Sequence, residues 1–174
     1  MARTRPRRRN RSAIAPASCT VLTPPAEVWA VLADFGRIAA WAPSVDHSEA
    51  LTPGPLSAGS ARRVQVGHLT LAETVVVCEP PSTLAYTLDG LPPFVARAEN
   101  RWTLEPAGDR RTTVTLEAEL TAGPRPPMRL ATAVLRLAMG RSNRQLVDAL
   151  AQHLGDSHDI PAETASPGAS RSLP

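Results

Sequence analysis

The fold of this 174-residue chain is decided by a run near its N-terminus, Thr23-Pro24-Pro25-Ala26-Glu27-Val28-Trp29-Ala30-Val31-Leu32-Ala33-Asp34-Phe35-Gly36-Arg37-Ile38-Ala39-Ala40-Trp41. Two of the three tryptophans and one of the two phenylalanines lie in this run, although aromatic residues make up only 3% of the chain. Thr23 as a cap and Pro24 at the first position predict a helix that ends at Gly36, and one further turn follows it. Because bulky aromatic side chains at such a corner must be buried, the run predicts two short helices packed against the rest of the fold.

The segments on either side of this run predict one sheet and one long helix. Ala17 to Leu22 forms a predicted strand before the run. Six further strands are predicted after it, at 45–51, 60–67, 69–79, 83–88, 95–105 and 112–121, and each is bounded by Pro, Gly or Asp. Apolar residues from Met128 to Leu154 then recur at helical spacing and predict a long amphipathic helix that closes at Gly155. The order predicts an α+β fold in which a curved antiparallel seven-stranded sheet surrounds the long C-terminal helix, with two short helices after strand 1.

The two ends of the chain predict tails outside this domain. Residues 1–16 and 156–174 are rich in Pro, Ser, Ala and Arg and lack periodicity. They predict a disordered basic leader and a disordered tail around a single domain at 17–155.

Charge and cysteine content exclude several classes of function. All 19 basic residues are arginines, and six of them lie in the first eleven positions, which leaves 13 arginines against 16 carboxylates in the remainder, a net charge of −3. Such a body offers no basic face to a nucleic acid, so nucleic acid is not expected as the main partner. Cys19 and Cys78 are expected to be reduced core residues. No run approaches the ~20 apolar residues of a membrane span, and a cytoplasmic protein is the default expectation.

Three segments resemble the START/SRPBCC superfamily, and most closely its polyketide cyclase/dehydrase branch. They are Thr23–Trp29 with Asp34-Phe35 and Trp41, then Glu73 and Glu79-Pro80-Pro81 followed by Leu84-Ala85-Tyr86, and Trp102-Thr103-Leu104-Glu105-Pro106 before a Gly-Asp turn. The resemblance covers roughly residues 17–155 and identifies a fold rather than an activity. It implies a helix-grip fold, in which a cavity between the sheet and the terminal helix holds one small apolar or amphipathic molecule.

Strand alternation selects the residues that face this cavity. Leu69, Leu71, Val75 and Val77 share one side of their strand with Glu73, a carboxylate on an otherwise apolar face. Glu73 could orient a polar group of a ligand or act as a general acid or base. Alternatively, the strand is one residue out of phase, or Glu73 pairs with an arginine near the rim.

The same alternation extends to the neighbouring strands. Tyr86 lies with Leu84 and Leu88, and Asn100 shares its parity with Ala96, Ala98, Trp102 and Leu104. His47 follows the second helix, where the cavity mouth is expected, and it is either a base or part of a solvated loop. Trp41 either closes the entrance or anchors the second helix.

These patterns give two sets of candidate residues. The predicted catalytic residues are Glu73, Tyr86 and His47. The predicted ligand-binding residues are Phe35, Trp41, Leu71, Glu73, Val75, Tyr86, Asn100, Trp102, Leu116, Met128 and Met139. No histidines share metal-ligand spacing, and no nucleotide-binding glycine motif is present, so neither a metal nor another cofactor is predicted.

Three functions remain open at this point. The first is binding of a small hydrophobic molecule such as a polyketide, a lipid or an aromatic metabolite. The second is a polyketide cyclase, aromatase or dehydratase that uses acid and base residues of the cavity. The third is a structural or stress-related protein whose cavity is vestigial. The sequence leaves the oligomeric state open.

Overall fold

The computed structural model of the protein describes residues 11–122 and 126–158, without the side chains of residues 11–13, 122, 126–134, 136 and 156–158. Its strands are β1 (Arg11–Ala13), β2 (Ala17–Val21), β3 (His47–Ala50), β4 (Ala61–Val66), β5 (Leu69–Glu79), β6 (Thr83–Asp89), β7 (Val95–Pro106) and β8 (Thr112–Ala122). Its helices are α1 (Pro25–Ala33), a 3₁₀ helix (Phe35–Ala40) and α2 (Pro126–His158). The six strands predicted after the first helices are therefore all present.

The eight strands of the described residues form one antiparallel sheet with seven strand positions. β1 and β2 both pair with β8, one after the other along its length, so that Ser12 lies opposite Leu120 and Cys19 lies opposite Val114. The order across the sheet is β1 and β2, then β8, β7, β6, β5, β4 and β3. The predicted seven-stranded antiparallel sheet with a long C-terminal helix is confirmed.

The core lies between this sheet and α2. The helix contacts β2 and β8, and its residues Leu146, Val147, Leu150 and Leu154 are buried. They join a single apolar cluster with the inward residues of β8, which are Val114, Leu116, Ala118 and Leu120. One hydrophobic surface therefore holds the helix on the sheet. The helix does not close at Gly155 as predicted, since it continues to His158.

The corner after β2 differs in detail from its prediction. The residue that caps α1 is Pro24, with Pro25 as the first helical residue, and Thr23 is instead buried with its carbonyl oxygen accepting a hydrogen bond of 2.6 Å from Thr112 Oγ1. α1 ends at Ala33 rather than at Gly36. Gly36 lies inside the 3₁₀ helix, where a Cβ atom would come within 2.9 Å of the backbone nitrogen of Ala50. The glycine therefore allows β3 to approach the helix, and it does not terminate α1.

Two β-bulges change the strand alternation. In β5 the register shifts between Val75 and Val77, and in β7 it shifts between Val95 and Arg97. Ala96 is consequently exposed, and its predicted inward position is wrong. Beyond the bulge in β5, the side chain that packs on the core is Cys78 rather than Val77.

The folded domain begins before the predicted boundary at residue 17. Ile14 is only 5% exposed, and its backbone nitrogen donates a hydrogen bond of 2.8 Å to the carbonyl of Ala118. Within the predicted leader, β1 is therefore part of the sheet, and Ile14 is part of the core. Residues 1–10 and 159–174 lie outside the described residues, and their predicted disorder stays a prediction. Among the described residues, no helix is both long enough and apolar enough to cross a membrane.

Candidate functional site

A cavity of about 160 Å³ lies between the sheet and α2. Strands β4 to β7 form one wall, and the middle of α2 forms the opposite wall. Ile38 of the 3₁₀ helix, the segment after that helix and Leu91 after β6 complete the lining. Most of the lining is apolar and includes Val64, Leu71, Leu88, Leu135, Met139 and Leu146. Its polar side chains are Ser44, Glu73, Tyr86, Asn100, Ser142 and Asn143. The fold therefore builds an apolar chamber with a small number of polar groups, which is typical of a small-molecule site.

Glu73 forms an ion pair with a buried arginine. Glu73 is 5% exposed and Arg62 is 3% exposed, and Arg62 Nε donates to Glu73 Oε2 over 2.5 Å. Arg62 Nη1 also donates to the carbonyl of Phe35 over 2.7 Å, and its guanidinium carbon lies 3.9 Å from the centroid of the Phe35 ring. Strand β5 is thus in the predicted phase at Glu73, and the arginine partner lies in the interior rather than near the rim. Hydrogen bonds and a matching charge make this burial tolerable.

Sequence reasoning missed Arg62 as a member of the site. The alternation of residues in β4 could have identified it. Arg62 lies on the same face of the strand as Val64, and both side chains are buried. Arg62 also lies directly opposite Glu73 in the pairing of β4 with β5. Applied to β4, the parity argument that places Glu73 inward would also have placed Arg62 inward.

Tyr86 is buried between the cavity and the packed interior. Its hydroxyl oxygen accepts hydrogen bonds of 3.4 Å from Asn100 Nδ2 and from Trp102 Nε1, and its ring meets Phe35 edge-on at a centroid distance of 5.5 Å. Burial, and secondarily the negative charge of Glu73, raises the pKa of the phenol above its ordinary value. The hydroxyl is therefore held in its neutral form.

Two buried amides that line the cavity lack partners for one of their polar atoms. Asn100 Oδ1 and Asn143 Nδ2 make no hydrogen bond to the described protein atoms, although Asn100 is 4% exposed and Asn143 is 2% exposed. Asn100 belongs to β7 and Asn143 belongs to α2. The residues that line the cavity therefore include one with an unsatisfied acceptor and one with an unsatisfied donor, on two different walls.

Five of the predicted ligand-binding residues line this cavity. They are Leu71, Glu73, Tyr86, Asn100 and Met139. Phe35, Trp41 and Trp102 instead line a second space of about 10 Å³, together with Arg62 and Tyr86. Val75 and Leu116 are buried in the core but are not part of either lining. Met128 lies in α2, and its side chain is outside the described part.

Two of the predicted residues are poorly placed for a role in the cavity. His47 is exposed on β3, the edge strand of the sheet, and is not part of the cavity lining. Trp41 packs edge-on against Trp102 at a centroid distance of 6.4 Å, which matches the alternative in which it anchors the 3₁₀ helix. Within residues 11–122 and 126–158, no three His, Cys, Asp or Glu side chains are grouped in a way that could hold a metal ion.

A protein-family model, described as polyketide cyclase/dehydrase and lipid transport, matches residues 15–155 of this chain. The chain belongs to this family. The match includes β2 to β8, the two short helices and most of α2, so that the cavity lies within the family domain. The earlier resemblance to the START/SRPBCC superfamily is confirmed.

Solved structures with a similar fold extend the comparison. The chain resembles the Zhui aromatase/cyclase from Streptomyces sp. R1128 with a TM-score of 0.75 and 19% identity, over 87% of this chain and 98% of that one. It resembles a START superfamily protein from Mycobacterium smegmatis with a TM-score of 0.66 and 16% identity, over 84% and 99% of the two chains. A Thermobifida fusca protein is 27% identical, with a TM-score of 0.62, over 83% and 93%. No curated protein sequence matches the chain.

Proposed function

We propose that this protein binds one small, predominantly apolar molecule in the cavity between the sheet and α2. The observation that carries the proposal is the cavity itself, which has a volume of about 160 Å³ and is lined mainly by aliphatic side chains. A well-packed core contains few voids larger than a water molecule, so a space of this size is a departure from ordinary packing. The family description, which includes lipid transport as well as cyclase and dehydrase, is compatible with a binding role.

The size of the cavity favours a ligand with about one ring. An apolar cavity of ~150 Å³ in another protein holds benzene. Of the three ligand classes that the sequence suggests, an aromatic metabolite fits this volume better than a long acyl chain or an extended poly-carbonyl chain. Burial of ~200 Å² of apolar ligand surface at ~25 cal/mol per Å² contributes ~5 kcal/mol before the entropic costs of binding, so dissociation constants on the order of micromolar to millimolar are expected.

The chemistry of the lining also favours binding over catalysis. The carboxylate of Glu73 is occupied by Arg62 at 2.5 Å, and the phenol of Tyr86 has a raised pKa because it is buried. Asn100 and Asn143 are amides, which do not exchange protons near neutral pH. The groups that face the cavity are thus suited to orienting a guest.

The binding proposal is tested by filling the cavity from the sheet side. Val64→Phe introduces a ring into the lining, whereas Val76→Phe places the same ring on a residue that is 40% exposed on the neighbouring strand. Native mass spectrometry and solvent extraction of the purified protein would identify a guest, and titration with toluene would measure binding of a one-ring molecule. We expect Val64→Phe to abolish both signals and Val76→Phe to preserve them. Recovery of no guest, together with no binding of toluene, would overturn the proposal.

A second function is supported by the neighbourhood of Glu73 and Tyr86. Both residues line the cavity, and the structurally similar Streptomyces protein is an aromatase/cyclase. In this case the neutral phenol of Tyr86 would donate a hydrogen bond to a ligand carbonyl and polarise it for attack. The test is the product pattern from a poly-β-ketone substrate with the wild type and with Tyr86→Phe and Glu73→Gln. Unchanged turnover in both folded variants would remove these residues from a catalytic role.

A further inference from the structure

The unsatisfied atoms of Asn100 and Asn143 are the feature of the cavity that ordinary packing leaves unexplained. Both atoms are buried, both side chains belong to the cavity lining, and neither atom has a hydrogen-bond partner among the described residues. A buried polar group without a partner destabilises a fold, and in native proteins such groups are normally satisfied by protein, water or ligand. The pair therefore indicates what occupies the cavity.

The two atoms have complementary requirements. Asn100 uses its Nδ2 group to donate to the Tyr86 hydroxyl, which leaves Oδ1 as an acceptor. Asn143 presents an unpaired Nδ2 group, which is a donor. Because one amide is on β7 and the other is on α2, a molecule that satisfies both must reach from the sheet wall to the helix wall.

The charge of the lining restricts the ligand further. Glu73 is the one charged side chain among the described lining residues, and its charge is matched by Arg62, which also donates to the carbonyl of Phe35. An anionic ligand would meet a carboxylate, and the described lining residues offer it no unengaged cation. A buried and unpaired charge is strongly unfavourable.

We propose that the ligand is an uncharged molecule of about one aromatic ring that carries a hydrogen-bond donor for Asn100 Oδ1 and an acceptor for Asn143 Nδ2. The chemical class is a hydroxylated aromatic carbonyl compound or a molecule of equivalent size and polarity. This inference rests on the proposed function, because it describes the occupant of the same cavity. It adds that the apolar walls set the size of the ligand and that the two amides select its polar groups.

The experiment compares matched one-ring probes. Toluene has neither polar group, benzaldehyde has only the acceptor, and 3- and 4-hydroxybenzaldehyde have both groups at two spacings. 4-Hydroxybenzoate adds a negative charge. Dissociation constants are measured by titrating ¹⁵N-labelled protein and following the side-chain amide signals of Asn100 and Asn143. We expect the better hydroxybenzaldehyde to bind at least tenfold more tightly than toluene, and 4-hydroxybenzoate at least tenfold more weakly than that isomer.

Variants of the amides test whether they cause this preference. Asn143→Leu and Asn100→Leu each remove one polar group, and each is expected to weaken hydroxybenzaldehyde binding about fivefold while leaving toluene binding equal or tighter. Gln145→Leu places the same apolar side chain at an exposed position of α2 and is expected to change neither affinity. Asn100→Leu also removes a hydrogen bond to the Tyr86 hydroxyl. If that variant does not fold, the test is made with Asn143→Leu.

The outcomes separate this inference from the function on which it rests. If toluene binds as tightly as both hydroxybenzaldehydes, or if Asn143→Leu keeps the wild-type preference, the amides do not select the ligand and the inference is wrong, while binding in the cavity stands. If no probe binds, the proposed function fails and this inference fails with it.

Discussion

Arg62 and Glu73 are the charged side chains that the described part of the chain buries, and their energetics can be tested separately from any ligand. Removing one charge of a buried pair leaves the other without a partner, which typically destabilises a protein by ~3 kcal/mol or more. Replacing both residues by apolar ones avoids that penalty. We therefore expect Glu73→Gln to lower the free energy of unfolding by ~3 kcal/mol, and the Arg62→Met/Glu73→Leu double variant to lower it by much less.

Urea unfolding measures these differences in stability. The ion pair of the next residue in β4, Arg63, supplies an exposed pair as the control. Arg63, one residue along β4, forms an ion pair of 2.7 Å with Glu49 whose side chains are about half exposed, 54% for Arg63 and 45% for Glu49. Because solvent screens such a pair, Glu49→Gln is expected to change the stability by less than ~0.5 kcal/mol. Equal effects of Glu73→Gln and Glu49→Gln would contradict the description of the Arg62 and Glu73 pair as buried and mutually dependent.

Tyr86 offers a direct measurement of burial, because it is the one tyrosine in the chain. Its raised pKa means that the folded state binds the phenolic proton more tightly than the unfolded state does. The corresponding stability is fully present below the unfolded pKa of ~10 and is lost as the pH rises toward the folded pKa. We expect the phenolate absorbance near 295 nm to develop at a higher pH in native protein than in urea, and the stability to fall above about pH 10.

A comparison with Tyr86→Phe isolates this residue from other groups that titrate at high pH. The variant has no phenol, so its stability should fall less between pH 9 and pH 11 than that of the wild type. A native absorbance titration that coincides with the one in urea would show that the phenol is accessible to solvent, in conflict with its 1% exposure.

The sequence predicts single residues well where alternation is undisturbed. The family resemblance implies the cavity, strand parity predicts that Glu73, Tyr86 and Asn100 face it, and all three line it. Arg62 was missed because an arginine in a strand is assumed to be exposed unless its partner is known. Phe35 and Trp102 were assigned to the ligand because bulky side chains facing inward serve either a cavity or a core, and parity does not distinguish the two uses.

At the scale of elements, the sequence predicts the order of helices and strands but not the points at which strands are interrupted. Two bulges, one between Val75 and Val77 and one between Val95 and Arg97, reverse the alternation of β5 and β7 over part of their length. No residue type in these segments marks the extra residue, because a bulge arises from pairing with the neighbouring strand. Parity predictions therefore hold on one side of each bulge and are wrong on the other.

Gly36 provides a test of the packing between the 3₁₀ helix and β3. A methyl group at this position would lie 2.9 Å from both the Cβ atom and the backbone nitrogen of Ala50, so one element must move. We expect Gly36→Ala to lower the free energy of unfolding by ~1–3 kcal/mol. Gly155→Ala is the matched control, because nothing lies within 4 Å of its Cβ position in α2, and a helical alanine is expected to be neutral or stabilising. A neutral Gly36→Ala would show that the two elements are not in close contact.

At the scale of the whole molecule, the cavity is a consequence of how the sheet holds α2. The helix packs tightly against β2 and β8 at one side of the sheet, whereas the cavity is bordered by strands β4 to β7. Because α2 contacts the sheet at β2 and β8 but lies farther from β4 to β7, a space remains between the helix and those strands that side chains only partly fill. The sequence predicted such a cavity through the family resemblance, but its volume depends on side-chain packing that no local pattern encodes.

The extent of the folded domain is the remaining feature of the whole molecule that the sequence placed incorrectly. Ile14 lies in a segment rich in Ala and Arg without periodicity, yet it is 5% exposed and belongs to the core cluster. A Cβ atom at Gly140 of α2 would lie 3.4 Å from its Cγ2 atom. Truncation of a buried isoleucine typically destabilises a protein by ~2–4 kcal/mol. We expect Ile14→Ala to do so, whereas Leu22→Ala, at a position 70% exposed directly after β2, should change the stability by less than ~0.5 kcal/mol. Urea unfolding of both variants checks the expectation. If Ile14→Ala destabilises the protein no more than Leu22→Ala does, Ile14 is not part of the core and the predicted boundary at residue 17 is correct.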